Sequence, residues 1–501
     1  MLGKTVAKLS IVAAFTANMD AHAQTAAIPE PNRPQLAFTH VNIVDVVTGE
    51  TMRNMTLIIS GNRIASIKRA SVARVPARAI VVDARGKYLI PGMWDAHVHA
   101  FTAPESTITL GRRAIDVFFP QYLAAGVTGV RDMGGWVDTV MEVRRELRNH
   151  QVLGPRIVAA GRLLGGKNPW APPSPHAWVI TDPDSARAAV DSMRRVGADF
   201  IKVHDFLKRD VYFAIAAAAR QAGLPLVGHL RPSVTVDEAI TAGQIGMEHL
   251  PIELVVACAG GDTTDANNFY DVWAKGGWAA FISETARLWN ARDARTCNAL
   301  LKRMKQVGVY VTPTLVLRMQ DSSFLARVNV GDLTPANRNT CAMTVKDWGS
   351  VPDTSRDRYY RTTFEIVRAL FRSGVGILAG TDGPGGCLVP GASLHDELEN
   401  FVRAGFTPAE ALRSATLEPA RFLGLSDSLG TIKLHKVADL VLLNANPLEN
   451  IRNARLVAGV VTDGRWVSRE EIRKRQRDRI AYALPERAFA SGKKWWKGQP
   501  F

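Results

Sequence analysis

The sequence predicts an α/β protein, a (β/α)8 TIM barrel with a small β-sandwich domain built from the N- and C-terminal flanks. Eight apolar, β-rich runs alternate with helix-like segments through the middle of the chain, an order that is typical of parallel βαβ units. The runs resemble strands that are buried on both faces, as the strands of parallel sheets are. The flanks carry short alternating strands, too few on either side for a stable sheet, so we expect the two flanks to meet.

The barrel is assigned to residues 88–425 because its eight predicted strands fall there. They cover residues 88–97, 126–133, 156–164, 199–206, 224–230, 245–250, 309–316 and 374–382. Helical stretches such as DSARAAVDSMRRVGA and RDVYFAIAAAARQAG lie between them, and Gly223 closes the second in a C-cap position. Residues 36–87 plus 426–468 supply the small β domain, and residues 469–501 form a basic, helix-prone C-terminal tail.

Composition places the chain among folded globular proteins. Hydrophobic residues make up 47% of its 501 residues and charged residues 22%, which argues against a disordered chain and against a protein with many membrane spans. The net charge of +15 is dispersed apart from clusters near 143–148 and in the tail, so we expect no nucleic-acid partner. The cysteines form no CxxC pair, which argues against a cysteine-based zinc site, and their pairing stays open: Cys258, Cys297, Cys341 and Cys387.

Residues 1–23 have the features of a secretory signal peptide. Lys4 and Lys8 precede an apolar segment, and the stretch AHA before Gln24 supplies a small-x-small cleavage site. The apolar segment is too short to span a bilayer, so no stable membrane span is expected. We predict an exported protein, periplasmic or secreted, with a flexible N-terminal arm as the alternative. Export would place the chain in a compartment where disulfides persist.

Polar side chains near the ends of the apolar strands mark the candidate site, because barrel enzymes carry their reactive residues there. Six positions qualify: His97 and His99 on the first strand, Lys202 on the fourth, His229 on the fifth, His249 on the sixth and Asp382 on the eighth. The side-chain period of two puts His97 and His99 on one face of their strand. A lone histidine at a strand end is more often structural, but this convergence is typical of a metal site.

Lys202 is the least expected member of the set. Burial of an ammonium group among apolar residues is costly unless the group is paired or neutral. A lysine that extends its amine to the surface is one explanation. The other is an amine carboxylated by CO₂, which would be an anionic oxygen ligand able to bridge two metal ions.

The segments PGMWDAHVH, DFIKV, GHL, MEHL and LAGTDGP, in this order and strand placement, resemble the metal-dependent amidohydrolase superfamily. The likeness is closer to its imidazolonepropionase-like and Xaa-Pro dipeptidase-like (prolidase-like) branch. GASLHDELENFVRAGFTPAEALRSAT, PARFLGL and GTIKLHKVADLVLLNANPLENI are also similar to that branch, and the resemblance covers residues 36–466. No single motif is decisive, but the ordered set is specific.

The resemblance implies a hydrolase with two divalent metal ions, zinc being the expected metal. The matching ligands are His97, His99 and Asp382 for the more buried ion, His229 and His249 for the second, and carboxylated Lys202 for the bridge. A metal-bridging hydroxide would attack the carbonyl while Asp382 takes its proton and passes it to the leaving amine. The implied reaction is hydrolysis of a C–N amide bond in a dipeptide, an Xaa-Pro-like substrate or an N-acyl amino acid. A homo-oligomer stays open.

Four further residues near the strand ends have predicted roles. His204 faces the same mouth and is a candidate substrate contact, with a strand-end cap as the alternative. His176 lies on the Pro-rich loop NPWAPPSPHAW, which is a substrate wall or a rigid surface excursion. Arg131 either pairs with Asp132 or binds a substrate carboxylate, and pairing is favoured. Asp95 lies deeper in the first strand, so we expect it to make a supporting hydrogen bond rather than bind metal.

Two alternatives stay open. One is a mononuclear cyclic-amide hydrolase, imidazolonepropionase-like, or a deaminase, in which Lys202 is an unmodified structural residue. The other is a non-catalytic barrel that serves as a scaffold. Loss of a ligand would be the usual sign of such a scaffold, and all six positions are occupied here.

Overall fold

The structure, a computed structural model, describes residues 33–481 except residues 102–107, 168–176, 231 and 321. The predicted signal peptide, His176 and the end of the tail from residue 482 lie outside the described residues.

Between β6 and β15 one or more helices separate the described strands, except that β8, β9 and β10 follow one another directly. The strands are β1 (Leu36–Asp45), β2 (Glu50–Ser60), β3 (Arg63–Arg69), β4 (Ile80–Asp83), β5 (Tyr88–Pro91), β6 (Met93–Val98), β7 (Val127–Asp132), β8 (Arg156–Ala159), β9 (Leu163–Gly165), β10 (Ala177–Val179), β11 (Ile201–Val203), β12 (Leu226–Gly228), β13 (Gln244–Glu248), β14 (Tyr310–Thr312), β15 (Gly376–Ile377), β16 (Leu440–Leu443), β17 (Val457–Thr462) and β18 (Arg465–Ser468). The helices are α1 (Ile108–Ala124), α2 (Val137–Arg148), α3 (Pro183–Val196), α4 (Arg209–Gln221), α5 (Val236–Ala242), α6 (Ile252–Cys258), α7 (Thr263–Asn290), α8 (Ala294–Val307), α9 (Leu315–Arg318), α10 (Ser322–Leu325), α11 (Pro335–Gly349), α12 (Asp353–Arg372), α13 (Ala392–Arg403), α14 (Pro408–Ser414), α15 (Leu417–Phe422) and α16 (Arg469–Ala481).

One sheet is formed by both flanks of the chain. Its strands run in the order β18, β17, β16, β5, β1, β2, β3, with β4 beside β1. Strand β5 joins the flanks, because it pairs in parallel with β1 and antiparallel with β16, where Leu440 lies opposite Pro91. Phe38, Leu57 and Leu442 from these strands are buried in one core. The flanks therefore meet in one sheet, whereas the second layer of a sandwich and the domain bounds stay predictions.

The middle of the chain forms two parallel sheets. One contains β6, β7 and β8, and the other runs in the order β10, β9, β11, β12, β13, β14, β15. Backbone hydrogen bonds join the two sheets on both sides: Ala96 N donates to Ala379 O at 2.8 Å, and Asp199 N donates to Ala159 O at 2.9 Å. The arrangement is an α/β fold in which the first strand lies beside the segment that follows β15.

Each predicted barrel strand overlaps an observed one, but two of them are divided. Residues 88–97 contain β5 and β6, because the chain passes from one sheet to the other at Gly92, where a Cβ would lie 2.0 Å from Thr128 Oγ1. Residues 156–164 contain β8 and the start of β9, separated by a turn in which Gly161 has a φ of 76°. The turn lets β8 pair with β7 while β9 pairs with β11.

The helices begin and end where local sequence signals place them. Helix α3 starts at a capping box in which Asp182 accepts from the backbone N of Ser185, and it ends at Gly197 in a left-handed conformation. Gly223 beyond α4 is also left-handed, at a φ of 68°. The first part of the basic tail is α16, which packs against α1. No helix among the described residues combines the length and the hydropathy needed to cross a membrane.

All four cysteines are paired in the structure. Cys258 at the end of α6 is bonded to Cys297 on α8, and Cys341 on α11 is bonded to Cys387 in the loop after β15. The bonded residues are 39 and 46 positions apart in sequence. In the chain-entropy description, closing loops of this length stabilises the folded state by roughly 4 kcal/mol each.

Candidate metal centre

Two histidines and an aspartate meet at the end of β6. The Nε2 atoms of His97 and His99 lie 3.0 and 3.2 Å from Asp382 Oδ1. Burial alone would raise the pKa of Asp382, but the neighbouring His97 and His99 hold it well below its usual value. Asp95 makes the predicted supporting bonds, because it accepts from Thr381 Oγ1 at 2.7 Å and from His97 N at 3.3 Å. The two histidines therefore share a face, as their spacing predicts.

His229 and His249 continue the cluster across the neighbouring strands. Their Nε2 atoms lie 3.1 Å apart, and the rings of His249 and His97 are 4.8 Å apart between centroids. Gly228, which precedes His229, has a φ of 137°, and a Cβ there would lie 2.1 Å from Val203 O. Glycine is therefore required where β12 brings His229 against β11.

The Nδ1 atom of each of the four imidazoles is hydrogen-bonded to a residue outside the cluster. The partners are Glu248 Oε2 for His97 at 2.8 Å, Gly134 O for His99 at 3.0 Å, Asp205 Oδ1 for His229 at 2.5 Å and Thr314 Oγ1 for His249 at 2.7 Å. A carboxylate or carbonyl acceptor assigns the proton to Nδ1 of His97, His99 and His229 and leaves the lone pair on Nε2. This is the tautomer in which a histidine binds metal through Nε2 with its ring orientation fixed.

The donor set suits divalent metal ions. His97, His99 and Asp382 each bring a donor atom to within 4.8 Å of the other two. Burial, assisted by nearby positive charge, holds the pKa values of His229 and His249 well below the usual value, so both rings are neutral and able to bind metal. Imidazole nitrogens and carboxylate oxygens are the ligands that zinc takes in hydrolytic sites.

Lys202 is buried on β11 without a partner. Its side chain is 1% exposed, and Nζ makes no hydrogen bond to any described residue. Burial lowers the pKa of Lys202 to about 8, so a neutral amine is accessible close to neutral pH. A lysine that extends to the surface would reach water, and this one does not. A buried amine without a hydrogen-bond partner fits a site in which a group that is not part of the chain binds next to the amine.

Three residues of the centre have left-handed backbones although none is glycine. The φ angles are 62° for His249, 65° for Asp382 and 46° for Thr314. Such conformations cost about 1–3 kcal/mol each and persist where the surrounding structure enforces them, most often at functional sites. Two candidate ligands, His249 after β13 and Asp382 after β15, and Thr314, the hydrogen-bond partner of His249, are therefore in strained positions.

A buried ion pair beneath His97 was not predicted. Glu248 on β13 is 2% exposed and holds His97 through Oε2, while Arg131 Nη2 donates to Glu248 Oε1 at 2.8 Å. Arg131 is 1% exposed and also donates through Nε to Ala96 O at 2.6 Å. The available signal was an acidic residue inside the apolar run IGMEHL, directly before His249.

The prediction that Arg131 pairs with Asp132 is wrong. Consecutive residues of β7 point to opposite faces of the strand, so the two side chains cannot meet. Asp132 instead accepts from Ala100 N at 2.9 Å and from Gly134 N at 3.2 Å. Arg131 lies beneath the histidines, paired with Glu248, and not at the mouth where a substrate contact was predicted.

Glu248→Gln should weaken both the fold and the metal centre. Arg131 would remain charged and buried without a countercharge, which costs about 3–5 kcal/mol in the free energy of unfolding. His97 would lose its carboxylate acceptor, a change that lowers metal affinity about 10- to 100-fold. Urea unfolding and competitive zinc titration measure the two effects. Asp191→Asn is the matched control, because Asp191 forms only half-exposed pairs with Arg194 and Arg195, whose loss costs under about 1 kcal/mol. Equal losses in the two variants would contradict this role of Glu248.

His204 lies beside the centre and is partly open to solvent. Its side chain is 36% exposed, and its ring is 4.3 Å from that of His229. His204, Asp205 and His229 also bring donor atoms within 4.8 Å of one another. The His229 Nδ1–H donates to Asp205 Oδ1, so this nitrogen is not free to bind a metal ion. We therefore interpret Asp205 as a residue that orients the His229 ring. The substrate contact predicted for His204 stays a prediction, and that for His176 lies outside the described residues.

Comparison with known proteins identifies related families and folds. The amidohydrolase family profile matches residues 88–467. Among solved structures, bottromycin amidohydrolase has 24% identity and a TM-score of 0.69, covering 92% of this chain and 96% of its own. A Xaa-Pro dipeptidase with bound methionine has 21% identity and a TM-score of 0.61, covering 87% and 100%. Ochratoxinase of A. niger has 19% identity and a TM-score of 0.60, covering 87% and 96%.

Two adenine deaminases match over short stretches only. The enzyme of Rubrobacter xylanophilus is 30% identical over 97 residues, which is 18% of this chain and 16% of that protein. The enzyme of Staphylothermus marinus is 35% identical over 66 residues, which is 13% of this chain and 11% of that protein. The chain thus matches a small part of each deaminase.

Proposed function

The chain belongs to the amidohydrolase family and is a hydrolase acting on carbon–nitrogen bonds, and on this basis we propose that it cleaves a dipeptide, an Xaa-Pro-like substrate or an N-acyl amino acid. Its fold is of the TIM-barrel type. The proposal includes closure of the barrel into one ring of eight strands, which the hydrogen bond from Ala96 N to Ala379 O supports.

One observation carries the binuclear form of this proposal: the unpartnered, buried amine of Lys202 beside four imidazoles whose Nδ1 atoms are all engaged elsewhere. The neutral amine would add to CO₂, forming an N–C bond and releasing one proton. The resulting carboxylate would supply the oxygen ligands of the bridge. The residues that would hold two zinc ions are His97, His99, Lys202, His229, His249 and Asp382.

When bound, two divalent ions supply a lowered pKa for the attacking water and polarisation of the scissile carbonyl. Asp382 is the proposed proton carrier, since its Oδ1 lies at the convergence of His97 and His99 and its pKa is low enough to keep it ionised. It takes the proton of the water as the C–O bond forms and delivers it to the amine nitrogen as the C–N bond breaks. His97 and His99, whose Nε2 lone pairs face Asp382 Oδ1, would hold the same metal ion as this carboxylate.

A mononuclear cyclic-amide hydrolase or deaminase is the second candidate. The short matches to adenine deaminases favour it. In that case Lys202 stays an unmodified amine and the centre holds one ion. The two candidates differ in metal content and in the modification of Lys202.

We also propose that the chain is exported and acts in the periplasm or outside the cell. The two disulfides support this, because such bonds persist in oxidising compartments and are rare in reducing ones. Cleavage after Ala23 would leave a mature chain that begins at Gln24, which mass spectrometry of the protein purified from the exported fraction measures.

Zinc-loaded protein, freed of excess metal, should contain close to two equivalents of zinc per chain and show an infrared band or a mass increase for the CO₂ adduct of Lys202. It should hydrolyse members of a library of dipeptides, N-acyl amino acids, lactones and cyclic amides, with the dipeptides and N-acyl amino acids turned over fastest. Chelation should abolish the activity and zinc should restore it. One equivalent of zinc without the adduct would contradict the binuclear proposal, and activity on cyclic amides alone would favour the second candidate.

A further inference from the structure

A cavity remote from the candidate metal centre lies between the flank sheet and the start of β8. Its volume is about 430 Å³, within the range of small-molecule pockets. Its apolar walls come from two places: Leu36, Ile80 and Trp466 of the flank sheet, and Leu147 and Val152 around the end of α2. The candidate ligands lie at the carboxyl ends of strands, whereas this cavity lies where β8 begins. The two sites are therefore at opposite ends of the barrel strands.

The walls of the cavity are apolar and held in place. The Trp466 ring packs edge-to-face on Phe38 with the centroids 5.3 Å apart. Ile80 is 50% exposed beside the cavity. Covering a large exposed apolar side chain with a bound partner is favourable. A ligand with an apolar body would bury this surface.

The charged residues that line the cavity are almost all cationic. The lining contains five arginines and one carboxylate: Arg33, Arg144, Arg148, Arg156, Arg465 and Asp463. Arg144 pairs with Asp199, Arg465 with Glu471, and Arg156 with both Asp439 and Asp463, while Arg33 Nη1 donates to Asp463 O at 2.7 Å. Asp463 is thus engaged by Arg156 and, at 3.8 Å from its Oδ2, by His150 Nε2, which also lines the cavity. Arg148, the last residue of α2, forms no ion pair with any described residue.

We propose that this cavity binds an organic monoanion, an apolar body that carries one carboxylate. The carboxylate is bound by the guanidinium of Arg148, whose fork of N–H donors matches both carboxylate oxygens. The apolar body packs between Leu147 and Trp466. A neutral or cationic ligand of the same shape would not form this charge-assisted pair with Arg148, which is itself exposed, so the cavity favours the anion.

Calorimetric titration of octanoate into metal-depleted full-length protein tests this. We expect one saturable site per chain, with octan-1-ol and octylammonium bound at least about 10-fold more weakly because they lack the charge-assisted hydrogen bonds. Metal depletion keeps the carboxylate from being captured at the histidine cluster. The result is therefore independent of whether the proposed hydrolysis is correct.

Arg148→Gln and Arg145→Gln form a matched pair on α2. Both arginines are exposed, but Arg148 lines the cavity and Arg145, one turn away, does not. Arg148→Gln should weaken octanoate about 10-fold or more and leave octan-1-ol unchanged, while Arg145→Gln should change neither. Absence of saturable octanoate binding, equal binding of octan-1-ol, or equal weakening by the two variants would overturn the proposal.

Discussion

Replacing Lys202 with alanine is expected to abolish amide hydrolysis and to create a protein that short carboxylic acids partly rescue. The loss should be on the order of 10³-fold, above the 10- to 100-fold cost of losing an outer-shell partner. Because Nζ has no hydrogen-bond partner among the described residues, alanine removes the amine without leaving another group unpaired. Acetate or propionate can then enter the vacated volume and supply the missing oxygen ligands. Initial rates on the best substrate, with and without added acid, measure the rescue.

Two further variants separate the chemistry of Lys202 from its volume. Lys202→Met keeps most of the buried volume without the amine, so it should be as inactive as alanine but should not respond to acetate. Lys208→Ala makes the alanine change at an exposed lysine and should leave the rate unchanged. Undiminished activity of Lys202→Ala would remove the residue from the mechanism. Two bound zinc ions without any rescue would contradict a bridging carboxylate.

Asp382→Asn is expected to retain much of the metal while losing turnover by about 10²- to 10⁴-fold, the usual contribution of a positioned base. Asparagine tolerates the left-handed backbone of this position, where φ is 65°, so the loop should keep its conformation. The amide oxygen can still bind a cation, but the amide cannot accept the proton of the attacking water. The informative measurement is kcat set against zinc equivalents per chain.

Asp427→Asn is the control for this change, because it makes the same substitution at an exposed position after α15. Its kcat and metal content should equal those of the unchanged protein. An unchanged kcat in Asp382→Asn would exclude the proposed proton transfer. Loss of metal in parallel with activity would assign Asp382 a ligand role alone.

The barrel strands were predictable because a strand buried on both faces is apolar along its length, and this signal is local. The break at Gly92 was not, because IPGM continues an apolar run and only the pairing partners show that the chain changes sheets there. Gly92 N donates to Asp439 O at 2.8 Å, a contact with residues far along the chain. Registers that depend on such distant segments leave no periodic trace in the sequence.

The candidate ligands were predictable for a related reason: a histidine, lysine or aspartate at the end of an apolar strand is conspicuous. Their supports were not. Glu248 stands next to His249, and its pairing with Arg131 joins residues 117 positions apart. Pairing of Arg131 with Asp132 at the end of the second predicted strand was favoured over binding of a substrate carboxylate, yet neighbours on a strand face opposite ways. Sequence adjacency predicts contact poorly in strands, whereas period and strand end predict it well.

Strand β5 sets an order of events for the maturation of the molecule. It lies between β1 and β16 and continues through Gly92 into β6, which carries His97. Leu440–Leu443, one neighbour of β5, lies far along the chain from β5 itself. In a chain that ends before this segment, β5, which leads into the first barrel strand, is paired on one side only. Pairings between segments so far apart in sequence form slowly. We therefore expect the candidate metal centre to be completed only once β16 has paired with β5, and truncation before β16 should abolish zinc uptake along with the flank sheet.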